Sequence, residues 1–206
     1  MSWYADHLVP RVVNRVCSTP GIARWRRQAV AGLTGTVVEI GFGSGLNVPF
    51  YPTAVERAYA VEPRDEAWRL ARDAVADSPI PIERIGLDGQ HLPLADASCD
   101  AAISTFTLCT IEDDALAVRE LYRVLKPGGT LHVLEHGLAP DARVARWQWR
   151  LDPLERVIAD GCHLTRDVAP LIERTGFAVT WIEQRYERGP KPWSYFTVAR
   201  ATKPLD

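Results

Sequence analysis

The chain has 206 residues, a formal net charge of −2 and 24% charged residues, which suits one folded domain with a full core and excludes disordered and fibrous classes. The slight acidic balance argues against a surface that tracks nucleic-acid phosphates, no apolar run approaches the ~20 residues needed to cross a bilayer, and the start lacks the charged and apolar blocks of a secretory signal. Cys17, Cys99, Cys109 and Cys162 are scattered, with no C-x-x-C pair and no histidine at zinc spacing, and read as reduced thiols of a cytoplasmic protein.

Trp3, His7, Val9, Val13 and Val16 recur at helical spacing and predict a first helix over 3–16, broken by Ser18-Thr19-Pro20-Gly21. A second helix is predicted over 22–31. The period then changes to short β-rich runs: strands over 36–40, 58–62 and 80–87, with a helix over 65–76. A fourth strand over 99–105 leads to an amphipathic helix over 113–125, stopped by Lys126-Pro127-Gly128-Gly129. The fifth strand covers 130–136. Residues 142–159 read as helical with an interruption at Pro153, and Thr165 as the cap of a further helix ended by Gly176. Strands over 177–186 and 194–201 close the chain. Alternating strand and helix predict an α/β fold with a mostly parallel sheet covered on both faces. The two consecutive strands at the end predict an antiparallel hairpin at or near one edge.

Glu39-Ile40-Gly41-Phe42-Gly43-Ser44-Gly45-Leu46-Asn47 follows the first strand directly. Glycines there let backbone N–H groups approach a ligand, and ligands of open α/β sheets bind beyond the carboxyl ends of the strands. The third glycine comes one residue too early for the G-x-G-x-x-G dinucleotide pattern, and no Lys-Ser/Thr ending marks a phosphate loop. Glu62, at the end of the second strand, is placed to accept both hydroxyls of a ribose.

Four segments then resemble the class I S-adenosylmethionine-dependent methyltransferases: the glycine loop, Val61-Glu62-Pro63, residues 92–100 (LPLADASCD) and residues 121–129 (LYRVLKPGG). That resemblance implies a Rossmann-like seven-stranded sheet in a single domain. Its parts would be a helical cap over 1–34, a cofactor-binding core over 35–136, an acceptor lid over 137–176 and the hairpin over 177–206. S-adenosylmethionine is the implied cofactor, S-adenosylhomocysteine the product, and no metal is expected. By the same resemblance Gly41, Gly43 and Gly45 pack against the methionine part of the cofactor, with Glu39 near its amino group, and Phe42 and Asn47 are counted among the cofactor-binding residues. Glu62 and Pro63 border the ribose, Asp88, Gly89 and Gln90 frame the adenine, and Thr105 and Phe106 line the floor near the sulfonium. Phe42 stands where many members carry a smaller residue, so a narrower solvent side of the loop is expected. His91 replaces a frequent acid and is expected to be exposed.

A closer resemblance, to the alkyl-thiol S-methyltransferases of the mammalian methyltransferase-like group, rests on residues 47–52 (NVPFYP), 106–110 (FTLCT), Glu135-His136, Trp147-Gln148-Trp149 and 160–166 (DGCHLTR). It implies methyl transfer to a small thiol or sulfide. The mammalian members carry a hydrophobic membrane anchor that is not read here, and the first helix is expected at most to lie on a membrane surface.

Transfer from a sulfonium requires alignment and exclusion of water, and a thiol with a pKa of ~8.5 needs little help to ionise. His136, ending the fifth strand, is the expected general base. Trp149, Asp160, Cys162 and His163 are the expected acceptor-binding residues, and Trp3 and Tyr4 would close over them. Cys162 and His163 are adjacent on an irregular segment, a poor arrangement for chelating one ion, and no third ligand is evident. Residues 104–107 (STFT) lack the Asn/Asp-Pro-Pro-aromatic tetrad of DNA amino-methyltransferases. Glu112-Asp113-Asp114 reads as the acidic start of a helix rather than the metal site of a catechol enzyme. Quinone or phenol methylation, phospholipid amine methylation and a non-catalytic cofactor-binding partner remain as alternatives.

Overall fold

The computed structural model describes residues 9–205; the expectations for Trp3, Tyr4 and His7 lie outside them. Among the described residues two helices lead, α1 (Val9–Cys17) and α2 (Pro20–Val30). Pro20 opens the second, where its missing N–H costs no helical bond. Seven strands follow: β1 (Gly35–Ile40), β2 (Val55–Val61), β3 (Ile82–Gly86), β4 (Cys99–Thr105), β5 (Leu125–His136), β6 (Ala178–Tyr186) and β7 (Tyr195–Thr202). The helices between them are α3 (Asp65–Leu70), α4 (Arg72–Ala76), α5 (Asp114–Val124), α6 (Ala142–Ile158), α7 (Val168–Arg174) and the short α8 (Lys191–Ser194).

The strands form one sheet in the order β3-β2-β1-β4-β5-β7-β6. The first five in sequence are parallel, and β7 runs antiparallel to both β5 and β6. Strand chemistry explains the last two places. Residues 195–199 (YFTVA) of β7 are buried without a break and suit an interior position, whereas β6 alternates exposed and half-buried positions and takes the edge. Both sheet faces are covered. Val38, Ile40, Ala102 and Val133 pack with Val118 and Leu121 of α5 and Ile172 of α7. Val37, Ile103, Leu134 and Val198 pack with Ile22, Trp25 and Ala29 of α2 on the other side. The chain reverses direction of travel between β1 and β4, and that switch point opens the ligand crevice.

Four local expectations are corrected. The helix over 65–76 is split at Ala71, whose amide bonds to both the Ala67 and Trp68 carbonyls. α6 runs through Pro153 without a break, because Pro153 is exposed and water can serve the carbonyl left without a donor. Thr165 does not cap α7: its hydroxyl donates to Asp152 Oδ1 at 3.1 Å, and Asp167 holds the cap position. Residues 126–129 end α5 as expected but lie inside β5 as a register shift, between the pairs Cys99↔Leu125 and Ala101↔Thr130.

Gln148 ties α6 to the sheet. Its Oε1 accepts from Ala139 N at 2.9 Å, and its Nε2 donates to the carbonyls of Gly137 at 2.8 Å and Pro192 at 3.0 Å. Gln148→Leu leaves those buried groups unpaired and should cost about 2–3 kcal/mol. Thermal melting should fall by roughly 5–10 °C for a chain of this size, and an unchanged melting temperature would contradict the role given to this amide.

Candidate active site

The carboxyl ends of β1, β2, β3 and β4 border a cleft of about 490 Å³. The glycine loop forms one wall. Gly41 has φ +64°, and a Cβ there would lie 1.9 Å from Thr107 Oγ1, so no side chain fits between the loop and the segment after β4. Glu62 closes the opposite side: its Oε2 accepts from Gly43 N at 2.7 Å and its Oε1 from Arg64 N at 2.9 Å. Burial raises the Glu62 carboxyl against those two backbone bonds. Each oxygen keeps a lone pair for a further donor, so the position suits a diol. Asp88, Gly89 and Gln90 line the far end. Asp88 is pre-shaped by bonds to Gln90 N at 2.8 Å and to the exposed His91 ring at 2.9 Å.

Of the expected cofactor residues, Gly41, Phe42, Gly43, Glu62, Pro63, Asp88, Gly89, Gln90, Thr105 and Phe106 line this cleft. Its volume, the glycine cradle and the diol-ready carboxylate fit S-adenosylmethionine. Phe42 turns inward against Trp68, with centroids 5.4 Å apart, and does not narrow the solvent side of the loop. Gly45 packs beneath the loop near Phe42, Ala71 and Ala74.

Glu39 and Asn47 support the loop from below and are not among the lining residues. Asn47 Nδ2 donates to Glu39 Oε1 at 2.9 Å and to Thr105 Oγ1 at 3.1 Å. The Tyr51 hydroxyl donates to Glu39 Oε2. Arg26, buried on α2, donates from Nη1 to Asn47 Oδ1 at 2.9 Å and to Thr105 Oγ1 at 3.0 Å, and it lines the cleft. Sequence reading gave Arg26 no role, since it is one of several arginines on that helix. Val13, Asn14 and Cys17 of α1 also line the cleft, and Ser44 Oγ bonds to Asn14 Oδ1 at 2.6 Å. The N-terminal cap therefore forms one wall.

A second buried carboxylate shapes the segment after β4. Glu135 Oε1 accepts from Ser104 Oγ, Thr107 N and Leu108 N, each at 3.0 Å, and Oε2 accepts from Cys109 N at 3.4 Å. Burial, and then the charge of Cys109, push Glu135 up to about 8.

The acceptor end differs most from expectation. Asp160 lines the cleft at φ +53° and pairs with Arg64, joining the lid to the segment after β2. Trp149 does not line it. It is 62% exposed, Trp147 is 56% exposed, and the buried Gln148 between them takes the inward direction of α6. His136, Cys162 and His163 are also outside the lining residues. Cys162 and His163 diverge: His163 Nδ1 lies 3.3 Å from Asp152 Oδ2, whereas Cys162 turns to Cys109 and His136. Cys162 Sγ donates to Cys109 Sγ at 3.7 Å, and His136 Nε2 is 3.0 Å from Cys162 Sγ. The hydrogen bond from Cys162 holds the Cys109 thiol well below its usual value despite burial, with His136 adding to the effect. Burial pulls His136 down, but the charge and hydrogen bond of Cys109, with the charges of Glu135 and Glu155, together outweigh it and raise the ring to about 9. The ring faces Cys162 and is not among the residues that line the cleft, so its position lends the expected general-base role no support.

A family model described as "Methyltransferase domain" matches residues 38–133. The thiol S-methyltransferase TMT1B of Mus musculus is 34% identical over 173 residues, covering 81% of this chain and 69% of its own length. The chain spans 66–71% of the TMT1A and TMT1B proteins it matches. The ubiquinone/menaquinone C-methyltransferase UbiE of Syntrophotalea carbinolica is 36% identical over 140 residues, covering 63% of this chain and 58% of its own length. In solved structures, an S-adenosylmethionine-dependent methyltransferase of Thermotoga maritima shares the fold with a TM-score of 0.68 at 23% identity, covering 97% of this chain and 99% of that one.

Burial drives the Glu39 carboxyl up to about 7 from an ordinary 4.5, against the bonds from Tyr51 and Asn47. Because the folded pKa is the higher one, this group's stabilisation is full below the unfolded value and is lost as pH rises through the folded value. Glu39→Gln should therefore match the wild type near pH 4, below the unfolded value, and unfold at a higher denaturant midpoint near pH 8. Parallel pH profiles for the two chains would remove Glu39 from that window.

Proposed function

The chain belongs to the class I S-adenosylmethionine-dependent methyltransferases and is related to the thiol S-methyltransferases, and from that premise we propose that it methylates the sulfur of a small thiol or of sulfide. Its products are then a methyl thioether or methanethiol and S-adenosylhomocysteine. When bound, the cofactor supplies a methyl group already activated on a sulfonium. Glu62 holds the ribose hydroxyls, residues 88–90 frame the adenine, and the Gly41–Gly43 backbone takes the methionine part. Thr105 and Phe106 form the floor, and the Arg64–Asp160 pair holds the lid over the cleft and limits water.

The observation that carries the thiol is the state of the ionisable groups. An oxygen or carbon acceptor demands a base facing the transferred methyl, whereas a thiol with a pKa of ~8.5 provides its own thiolate. Among the described lining carboxylates, Glu62 is committed to backbone amides, Asp88 to Gln90 and His91, and Asp160 to Arg64. The thiol S-methyltransferase relatives support the same acceptor. Four free cysteines suit the reducing cytoplasm that we assign to the protein; no helix among the described residues is long and apolar enough to cross a membrane. Similarity to UbiE favours a second reading, methylation of a quinol carbon.

The deciding assay is S-adenosylhomocysteine release by the purified chain, offered sulfide, alkyl thiols, catechols, quinols and phosphatidylethanolamine in parallel. Turnover is expected with sulfur acceptors alone. Turnover confined to quinols would replace the thiol reading with the second one, and silence with every acceptor while S-adenosylhomocysteine still binds would favour a binding-only partner protein. Glu62→Ala should weaken S-adenosylhomocysteine binding by roughly 10–100-fold, the loss expected for hydrogen bonds to a charged group. Unchanged affinity in titration calorimetry would refute the ribose assignment.

A further inference from the structure

Three soft donors meet at the lid end of the cleft, from segments far apart in the chain. Cys109 comes from the segment after β4, His136 from the end of β5 and Cys162 from the lid. One donor atom of each lies within 4.8 Å of the others. We propose that Cys109, His136 and Cys162 form a binding site for one zinc-class divalent ion, with the fourth coordination position open. The proposal does not rest on the identity of the methyl acceptor.

Geometry carries it first. Two thiolates each ~2.3 Å from a tetrahedral zinc stand about 3.75 Å apart; the Cys109 and Cys162 sulfurs are 3.7 Å apart. The His136 Nε2 to Cys162 Sγ distance is 3.0 Å, so the ring need swing outward by only about half an ångström to reach the roughly 3.5 Å of a zinc-bound N and S pair. Donor chemistry selects the ion. Two sulfurs and one imidazole suit zinc and exclude magnesium and calcium, which take oxygen. Three protein ligands with a vacant fourth place is the arrangement of reactive zinc sites, where closed structural sites use four.

Charge balance supplies the second support. Two thiolates neutralise a divalent ion, so the loaded site is neutral in surroundings where an isolated charge is costly. Glu135, the nearest carboxylate in sequence, is occupied by the hydroxyl of Ser104 and the amides of Thr107, Leu108 and Cys109, and holds Cys109 in place without competing as a ligand. On loading, the two thiols release their protons to solvent and the imidazole binds neutral. The site adjoins the cleft through neighbours in sequence: Thr110 beside Cys109, and Ala159 and Asp160 just before Cys162, all line it.

The test uses the full chain, reduced, stripped with a chelator and checked for S-adenosylhomocysteine affinity. Zn²⁺ is titrated against a chromophoric chelator, and Co²⁺ is bound separately for its absorption spectrum. One Zn²⁺ per chain is expected, with a thiolate-to-cobalt band and the intense visible bands of a tetrahedral site. Cys109→Ser and Cys162→Ser should each weaken Zn²⁺ binding beyond the roughly 10–100-fold cost of losing an outer-shell partner, while Cys99→Ser leaves it unchanged. Only variants that retain S-adenosylhomocysteine affinity are compared. Equal Zn²⁺ affinity in wild type and Cys109→Ser/Cys162→Ser, a pale octahedral cobalt spectrum, or a Cys109–Cys162 disulfide that persists under reductant would each overturn the site.

Discussion

The buried polar chain Arg26–Asn47–Glu39, with Thr105 and Tyr51 as its side branches, is the constraint on which the rest of the site depends. A cation on α2 and a carboxylate at the end of β1 are both removed from water, and such groups persist only when their hydrogen bonds are met. Asn47 meets that need by accepting from Arg26 and donating to Glu39. In doing so it fixes the glycine loop that leads into it, and Thr105 fixes the end of β4 to the same cluster. The second helix is thus bound to the sheet by an interaction that lies beneath the glycine loop, which makes it part of the cleft's wall rather than an appendage.

A second carboxylate repeats the device on the other flank of β4. Glu39 and Glu135 are the penultimate residues of β1 and β5, the two strands that pair with β4. Each is buried, each is raised toward neutrality, and each organises the loop beyond a strand end. Glu135 gathers consecutive amides after β4, where Phe106 takes φ +54°. That left-handed turn is uncommon for a bulky residue, and it is held by the Phe106 ring against Phe196 and by the guanidinium of Arg26 over its face. Two loops that must approach within touching distance at Gly41 and Thr107 are therefore each anchored by their own internal acid.

The sequence made the sheet and the cofactor half legible for physical reasons that the acceptor half lacks. Strand-ending glycines, an acid at the next strand end and runs of buried β-branched residues are local signals, and each reports on a contact made within a few residues of itself. The unbroken burial of residues 195–199 and the alternation of β6 account for the order of the last two strands, which the expected hairpin left open. Arg26 gave no such signal, because a buried arginine and a solvated one are identical in a helical pattern. Trp149 misled because the polar residue beside it, Gln148, takes the inward position by satisfying three backbone groups at once. Cys109 and Cys162 looked scattered because 53 residues separate them, and only the return of the lid over β4 and β5 brings them together.

This division follows from how the fold is assembled. The expected cofactor residues that line the cleft sit at or just beyond the carboxyl ends of parallel strands, so the topology delivers them to one crevice. The acceptor end needs a fourth participant, the lid, whose path is set by the Gln148 and Asp152 bonds and by the Arg64–Asp160 pair rather than by sheet pairing. Acceptor chemistry can vary on a constant cofactor platform in such a fold, and in this chain the path of the lid is what sets Cys162 against Cys109 and His136.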